Sequence, residues 1–130
     1  MGADFSEKAA GARVPGLQAG CAKRDITPRR PVPLAGYAHR KGVFEKVEQP
    51  LHLRVMALKR TDAAGRTREA VVASADLIWW GEALAERLRR AVGERFGIDP
   101  SAVLLHASHT HSGPQTSDEF NPAIGMPDPE

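Results

Sequence analysis

The chain has 130 residues, which suffices for one modest domain. Hydrophobic residues make up 42% and charged residues 26%, which excludes collagen-like, disulfide-scaffold and wholly disordered chains. With 18 basic and 16 acidic residues the net charge is only +2, and aromatic residues reach 5%, so nothing in the composition indicates a nucleic-acid partner.

The N-terminal residues carry no targeting signal. Residues 1–16 lack the apolar region of a signal peptide, so the default expectation is a cytoplasmic chain. They are small and polar, which predicts a disordered tail. No stretch of the chain is apolar enough over the length that a transmembrane segment requires.

A strand and a long loop follow the tail. Residues 17–26 alternate in polarity and predict a short strand that ends before a proline. Its Cys21 is the only cysteine, which excludes an internal disulfide and favours a reducing compartment, and we expect a small buried apolar residue there. Residues 28–42 are rich in proline and glycine and predict a long functional loop.

Strands and one helix alternate in the second half. Residues 51–58 predict a strand by their alternation, and residues 61–67 predict a hairpin loop. The apolar run 69–76 predicts a strand buried on both faces. Residues 81–96 have helical spacing, and 102–107 predict a second buried strand. This order predicts a βαβ unit with parallel, adjacent strands in a mixed sheet, so the fold class is α/β, with α+β as the alternative.

Three of the five histidines fall close together, as His106, His109 and His111. His109 and His111 follow the predicted strand 102–107, at the sheet edge where ligands of open α/β sheets collect. Residues i and i+2 of an extended chain point the same way, so both imidazoles would face one metal ion. Asp76 ends the neighbouring strand, and we expect its carboxylate at the same edge.

Each of these residues also has a purely structural interpretation. A His-x-His pair at a strand end is often two partly exposed histidines, and a lone Asp76 is more often a cap or turn carboxylate. His106 alternates out of phase with His109 and is predicted to lie in the core or behind the site. His39 and His52 are expected at the surface unless the fold brings them inward.

The order and spacing of five segments resemble the neutral/alkaline (non-lysosomal) ceramidase family. The segments are RDITP at 24–28, PLAGYAHR at 33–40, EQPLHLRVMAL at 48–58, VVASADLIW at 71–79 and ASHTHSGP at 107–114. The likeness is to the N-terminal part of that family's catalytic domain, and especially to compact ceramidase-like bacterial hydrolases.

The resemblance implies a zinc-dependent hydrolase that cleaves the amide of N-acyl sphingoid bases or a related N-acyl substrate. It implies that His109 is a zinc ligand and that His111 is a catalytic residue that orients or stabilises the reacting amide. Asp76 would lie behind the ligands and orient an imidazole. The remaining metal ligands fall outside this chain, so the chain alone is expected to bind Zn²⁺ weakly and to be inactive.

The resemblance also divides the chain. We expect a partial ceramidase-like catalytic domain over 17–115, followed by an irregular tail over 116–130 that ends as if truncated. The expected substrate is a small N-acyl lipid or a related amide, with no nucleic acid and no transmembrane segment. A homo-oligomer or a further C-terminal portion would cover the open sheet edges. The alternative is a non-catalytic scaffold or interaction module of the same fold.

Overall fold

The computed structural model describes residues 16–117. The tails predicted over 1–16 and 116–130 therefore lie almost entirely outside the described residues. The elements in chain order are the strands β1 (Leu17–Asp25), β2 (His52–Thr61) and β3 (Thr67–Ala75), the helix α1 (Glu82–Phe96), a 3₁₀ turn (Pro100–Ala102) and the strand β4 (Val103–Ala107).

The four strands form one mixed sheet in the order β1-β2-β3-β4. β2 pairs with β1 and β3 in antiparallel fashion, whereas β3 and β4 are parallel. The turn between β2 and β3 contains Gly65 with a φ of 78°, a conformation that favours glycine. The α/β class and the predicted adjacency of the two parallel strands are confirmed.

One helix connects the parallel strands and covers one face of β3 and β4. It begins after Gly81 and ends at Gly97, whose φ is 69° and whose N–H donates to the carbonyl of Gly93. The buried residues of this layer are Val71, Ala73, Ala75, Ala85 and Val103. Within residues 16–117, no helix combines the length and the apolarity that crossing a membrane demands.

The opposite face of the sheet, here called the outer face, is open. Cys21, Met56, Val72 and Leu104 stand in register across the four strands on this face. Cys21 is exposed, and Leu104 is 57% exposed. The prediction that Cys21 is buried is wrong, because β1 is exposed on both faces. The prediction that 69–76 and 102–107 are buried throughout is also wrong, because α1 covers only one face of β3 and β4.

The long loop between β1 and β2 docks at the carboxyl ends of β3 and β4. Its Val32 and Ala35 are buried, and Ala35 shares a small apolar cluster with Ile78, against which Trp79 packs. The Ala35 N–H donates to the carbonyl of Gly113 over 2.9 Å. This loop and the segment after β4 thus form one packed unit.

Candidate functional site

The site is built on the two parallel strands. Asp76 follows β3 and Ser108 follows β4, and the Ser108 N–H donates to the carbonyl of Ala75 over 3.0 Å. Two residues further on, the Thr110 N–H donates to the carbonyl of Leu77 over 3.2 Å. The segments beyond both strands therefore remain side by side at one edge of the sheet, which we call the carboxyl rim.

His109 leaves the extended conformation at this rim. Its φ is 58°, so the strand alternation expected for the His-x-His pair does not hold. Its ring Nδ1 lies 2.9 Å from the carbonyl oxygen of Ile78. A carbonyl only accepts, so Nδ1 carries the proton and Nε2 keeps its lone pair. This arrangement, in which one ring nitrogen bonds to a backbone carbonyl and the other carries the lone pair, is typical of metal-ligating histidines.

The ring of His111 lies beside the ring of His109, although the chain between them is not an extended strand. The two ring centroids are 5.3 Å apart, with an interplanar angle of 68°. Nδ1 of His111 is buried and has no hydrogen-bond partner among the residues that the structure describes. A buried nitrogen without a partner costs about 1–3 kcal/mol whether it carries a proton or a lone pair, so this burial does not by itself fix the tautomer of His111. His109, by contrast, has its lone pair on Nε2.

Asp76 forms hydrogen bonds with the start of β2 and with the side chain of Ser108. Its Oδ2 accepts from the N–H of His52 over 2.9 Å, and its two oxygens lie 3.0 Å from the guanidinium of Arg54. Burial raises the pKa of the Asp76 carboxyl, but these bonds and the charge of Arg54 outweigh burial and leave the pKa below its ordinary value. The acceptor that orients the ring of His109 is the Ile78 carbonyl and not Asp76, which was expected to orient an imidazole.

His52 is brought inward at the same rim. Its ring Nδ1 lies 3.9 Å from Oδ2 of Asp76, and its side chain is largely buried. Sequence reasoning left His52 at the surface unless the fold intervened, and the fold does so because the first residue of β2 stands opposite the end of β3. The available signal was the alternation of β2, which places His52 on the same face as Arg54.

A cleft of about 1070 Å³ opens next to these residues. It is lined by His52, Arg54 and Asp76, by the hydroxyl residues Ser108, Thr110 and Ser112, and by loop residues that include Leu34, Val43 and Phe44. The hydroxyl residues alternate along the chain with His109 and His111, which do not line this cleft.

The other histidines lie elsewhere. His106 is on the outer face, where its Nδ1 is 2.9 Å from the hydroxyl of Ser74 and its carbonyl accepts from the indole of Trp80 over 3.0 Å. His106 is exposed, so the expectation of a core position is wrong, because no layer covers this face. His39 is also exposed, and its ring lies 5.7 Å from that of Tyr37.

The described residues of the rim do not form a metal site by themselves. Between residues 16 and 117, no three or more His, Cys, Asp or Glu side chains are grouped so that they could hold a metal ion. A catalytic zinc site uses three protein ligands and an open position. Within residues 16–117, His109 is a single candidate ligand, with its imidazole oriented by the Ile78 carbonyl.

Solved structures share this architecture. The chain is similar to neutral ceramidase from Pseudomonas aeruginosa, with a TM-score of 0.66 and 25% identity over 77% of this chain. The chain has a ceramidase-like fold. A second similar structure, a ceramidase complexed with C2, gives a TM-score of 0.61 at the same identity and coverage. No protein-family model and no curated protein matches the sequence.

The ceramidase-like fold of this chain corresponds to a small part of those proteins, since the match spans 16% of each. The resemblance drawn from the sequence is confirmed at the level of the fold, as a partial portion of a larger ceramidase domain. The shared portion is the mixed four-stranded sheet with one helix.

Proposed function

We propose that this chain is part of a zinc-dependent amide hydrolase that resembles neutral ceramidase. In this proposal His109 is a zinc ligand and His111 is the hydrogen-bond donor to the reacting amide. The ceramidase-like fold supports the class of reaction. The observation that carries the proposal is the hydrogen bond from Nδ1 of His109 to the Ile78 carbonyl, because it fixes the ring and leaves Nε2 free.

Amide hydrolysis has two energetic barriers, and the proposed roles of the two histidines correspond to them. The nucleophile is weak, and the oxyanion that develops on the carbonyl is costly. A bound zinc ion supplies Lewis-acid chemistry for both. Independently of the metal, the Nε2–H of His111 is a donor for the developing oxyanion, and a preorganised donor of this kind is worth about 3–4 kcal/mol. Asp76 has the supporting role of holding the first residue of β2 against the rim.

The substrate class that we propose is an N-acyl lipid or a related amide. The similar structures are ceramidases, which supports an amide substrate of this class.

A non-catalytic module of the same fold is the second candidate. It is favoured by the incomplete ligand set within residues 16–117 and by the open outer face, where Met56 and Leu104 are exposed. The two candidates differ in the chemistry of His109, because a scaffold needs neither a fixed tautomer nor a free Nε2.

A zinc titration of the ¹⁵N-labelled full chain tests the proposal by histidine-ring NMR. We expect His109 in the Nδ1–H tautomer and His111 in the Nε2–H tautomer. Zinc should move the Nε2 signal of His109 first, with a dissociation constant on the order of 100 μM or weaker, because one imidazole replaces a full ligand set. The chain alone should show no turnover of N-acyl substrates.

The control is His39, which is exposed on the loop and has no place in the proposed site. His109→Gln should abolish the zinc response, and His39→Gln should leave it unchanged. An Nε2–H tautomer at His109, or equal zinc responses at His39 and His109, would favour the scaffold. Tight zinc binding with turnover would show that the chain holds a complete site.

A further inference from the structure

We propose that Arg40 is a positioning residue whose guanidinium ties the loop segment 34–40 to the segment after β4 and thereby fixes the imidazole of His111. Arg40 is part-buried and is 71 positions away from His111 in the chain. The importance of Arg40 for catalysis rests on the proposed function, in which His111 is the hydrogen-bond donor to the reacting amide. The contacts themselves do not depend on it.

Arg40 joins two backbone carbonyls of different segments. Its Nη1 donates to the carbonyl of His111 over 2.7 Å and to the carbonyl of Ala35 over 3.2 Å. Ala35 is only 1% exposed, and its N–H donates a hydrogen bond to the carbonyl of Gly113, so the Ala35 carbonyl is held in place. Charge-assisted bonds of this kind are stronger than neutral ones, and they hold the His111 backbone at a fixed distance from the loop.

Tyr37 contacts both the guanidinium of Arg40 and the imidazole of His111. The Arg40 guanidinium carbon lies 4.9 Å from the centroid of the Tyr37 ring. The Tyr37 ring in turn meets the His111 ring edge to face, with centroids 4.8 Å apart at 72°. Tyr37 is 45% exposed, so burial alone does not hold its ring in place. Arg40 therefore stabilises the aromatic surface on which the His111 imidazole rests.

Gly36 completes the contact from the backbone side. Its φ is 109°, and a Cβ at this position would lie 2.4 Å from Cγ of His111. The loop backbone therefore lies directly against the imidazole, which only glycine permits. Gly36 lets the loop approach, Tyr37 packs on the ring edge, and Arg40 keeps both in place. Arg40 touches no reacting atom.

Ring NMR of His111 in Arg40→Met separates positioning from general stability. Arg89→Met is the matched control, because Nε of Arg89 also donates to a backbone carbonyl, that of Val103 over 3.2 Å, away from the rim. In Arg40→Met we expect the loss of the His111–Tyr37 nuclear Overhauser effects and of the ring-current displacement of the His111 protons. The His109 signals should keep their Nδ1–H tautomer, and Arg40→Lys should restore the His111 signals in part.

Unchanged His111 signals in Arg40→Met, or the same changes in Arg89→Met, would overturn the inference. If Arg40→Met does not fold, Tyr37→Leu serves instead, since it removes the ring surface and leaves the guanidinium bonds intact; unchanged His111 signals there count against the inference. A chain in which zinc fails to move His109 contradicts the proposed function alone, because the Arg40 effect is measured without metal.

Discussion

His109 and His111 show how the partner of one ring nitrogen decides the chemistry of an imidazole. The bond from Nδ1 of His109 to the Ile78 carbonyl leaves the lone pair on Nε2, whereas Nδ1 of His111 is buried and has no partner among residues 16–117. Two histidines that stand only two positions apart therefore have different ring environments. The difference arises from the loop that packs on His111 and from the turn that carries Ile78.

Asp76→Asn tests the carboxylate at the rim. The asparagine keeps the shape but loses the charge that accepts bonds from His52 and Arg54, so we expect the free energy of unfolding at pH 7 to fall by about 1–3 kcal/mol. The pKa of Asp76 is lowered in the folded protein, so its stabilisation is present above the ordinary value of 3.8 and is lost as the pH falls through the folded pKa.

Urea unfolding of the wild type and of Asp76→Asn across the acid range measures this effect. The two proteins should converge in stability once the pH lies below the lowered pKa of Asp76. Glu48→Gln is the control, because Glu48 forms only an exposed pair with Lys46 and should change little at any pH. A deficit of Asp76→Asn that persists undiminished in acid would show that charge is not its cause.

At the level of elements, the start of α1 is joined to the segment that follows the histidines. The Thr116 hydroxyl donates to the carbonyl of Trp79 over 2.8 Å. At Gly81, directly before the helix, a Cβ would lie 2.6 Å from the Thr116 carbonyl oxygen and 2.8 Å from Cα of Ser117. The start of the helix and the segment after β4 thus contact each other through their backbones.

Gly81→Ala should disrupt this joint. The methyl group meets backbone atoms, which cannot rotate away, so we expect a loss of about 1–3 kcal/mol in the free energy of unfolding. Gly20→Ala is the matched control, because no atom lies within 4 Å of its added Cβ, and it should be neutral or slightly stabilising. Equal unfolding midpoints in urea for the two variants would contradict the close approach at Gly81.

At the scale of the whole molecule, the order of strands and helix could be predicted from the sequence. Which faces of the strands are covered could not. Alternation and helical spacing predicted the order of elements and the parallel pair, and with it the position of His109 and His111 at the rim. The run 69–76 is apolar on both faces, so no local signal indicated that the helix covers only one. The partners of the histidine rings come from distant segments, as with Arg40, and no local pattern encodes them.

The outer face provides the test of assembly, because its exposed apolar side chains, such as Met56 and Leu104, suit either a second copy or a further layer. Leu104 and Val103 are neighbours on β4 that point to opposite faces, with exposures of 57% and 3%. Val103→Ala should cost about 2 kcal/mol, as a truncation in the helix-covered layer. Leu104→Ala should cost less than about 0.5 kcal/mol if the outer face is in water.

Urea unfolding at two protein concentrations, together with sedimentation, distinguishes a free face from one covered by a second copy. A free face predicts a stability of Leu104→Ala that equals the wild type at both concentrations, with one sedimenting species. A homodimer through this face predicts a wild-type stability that rises with concentration and a Leu104→Ala loss that grows with it. Because Val103 lies on the covered face, Val103→Ala should show the same deficit in either case.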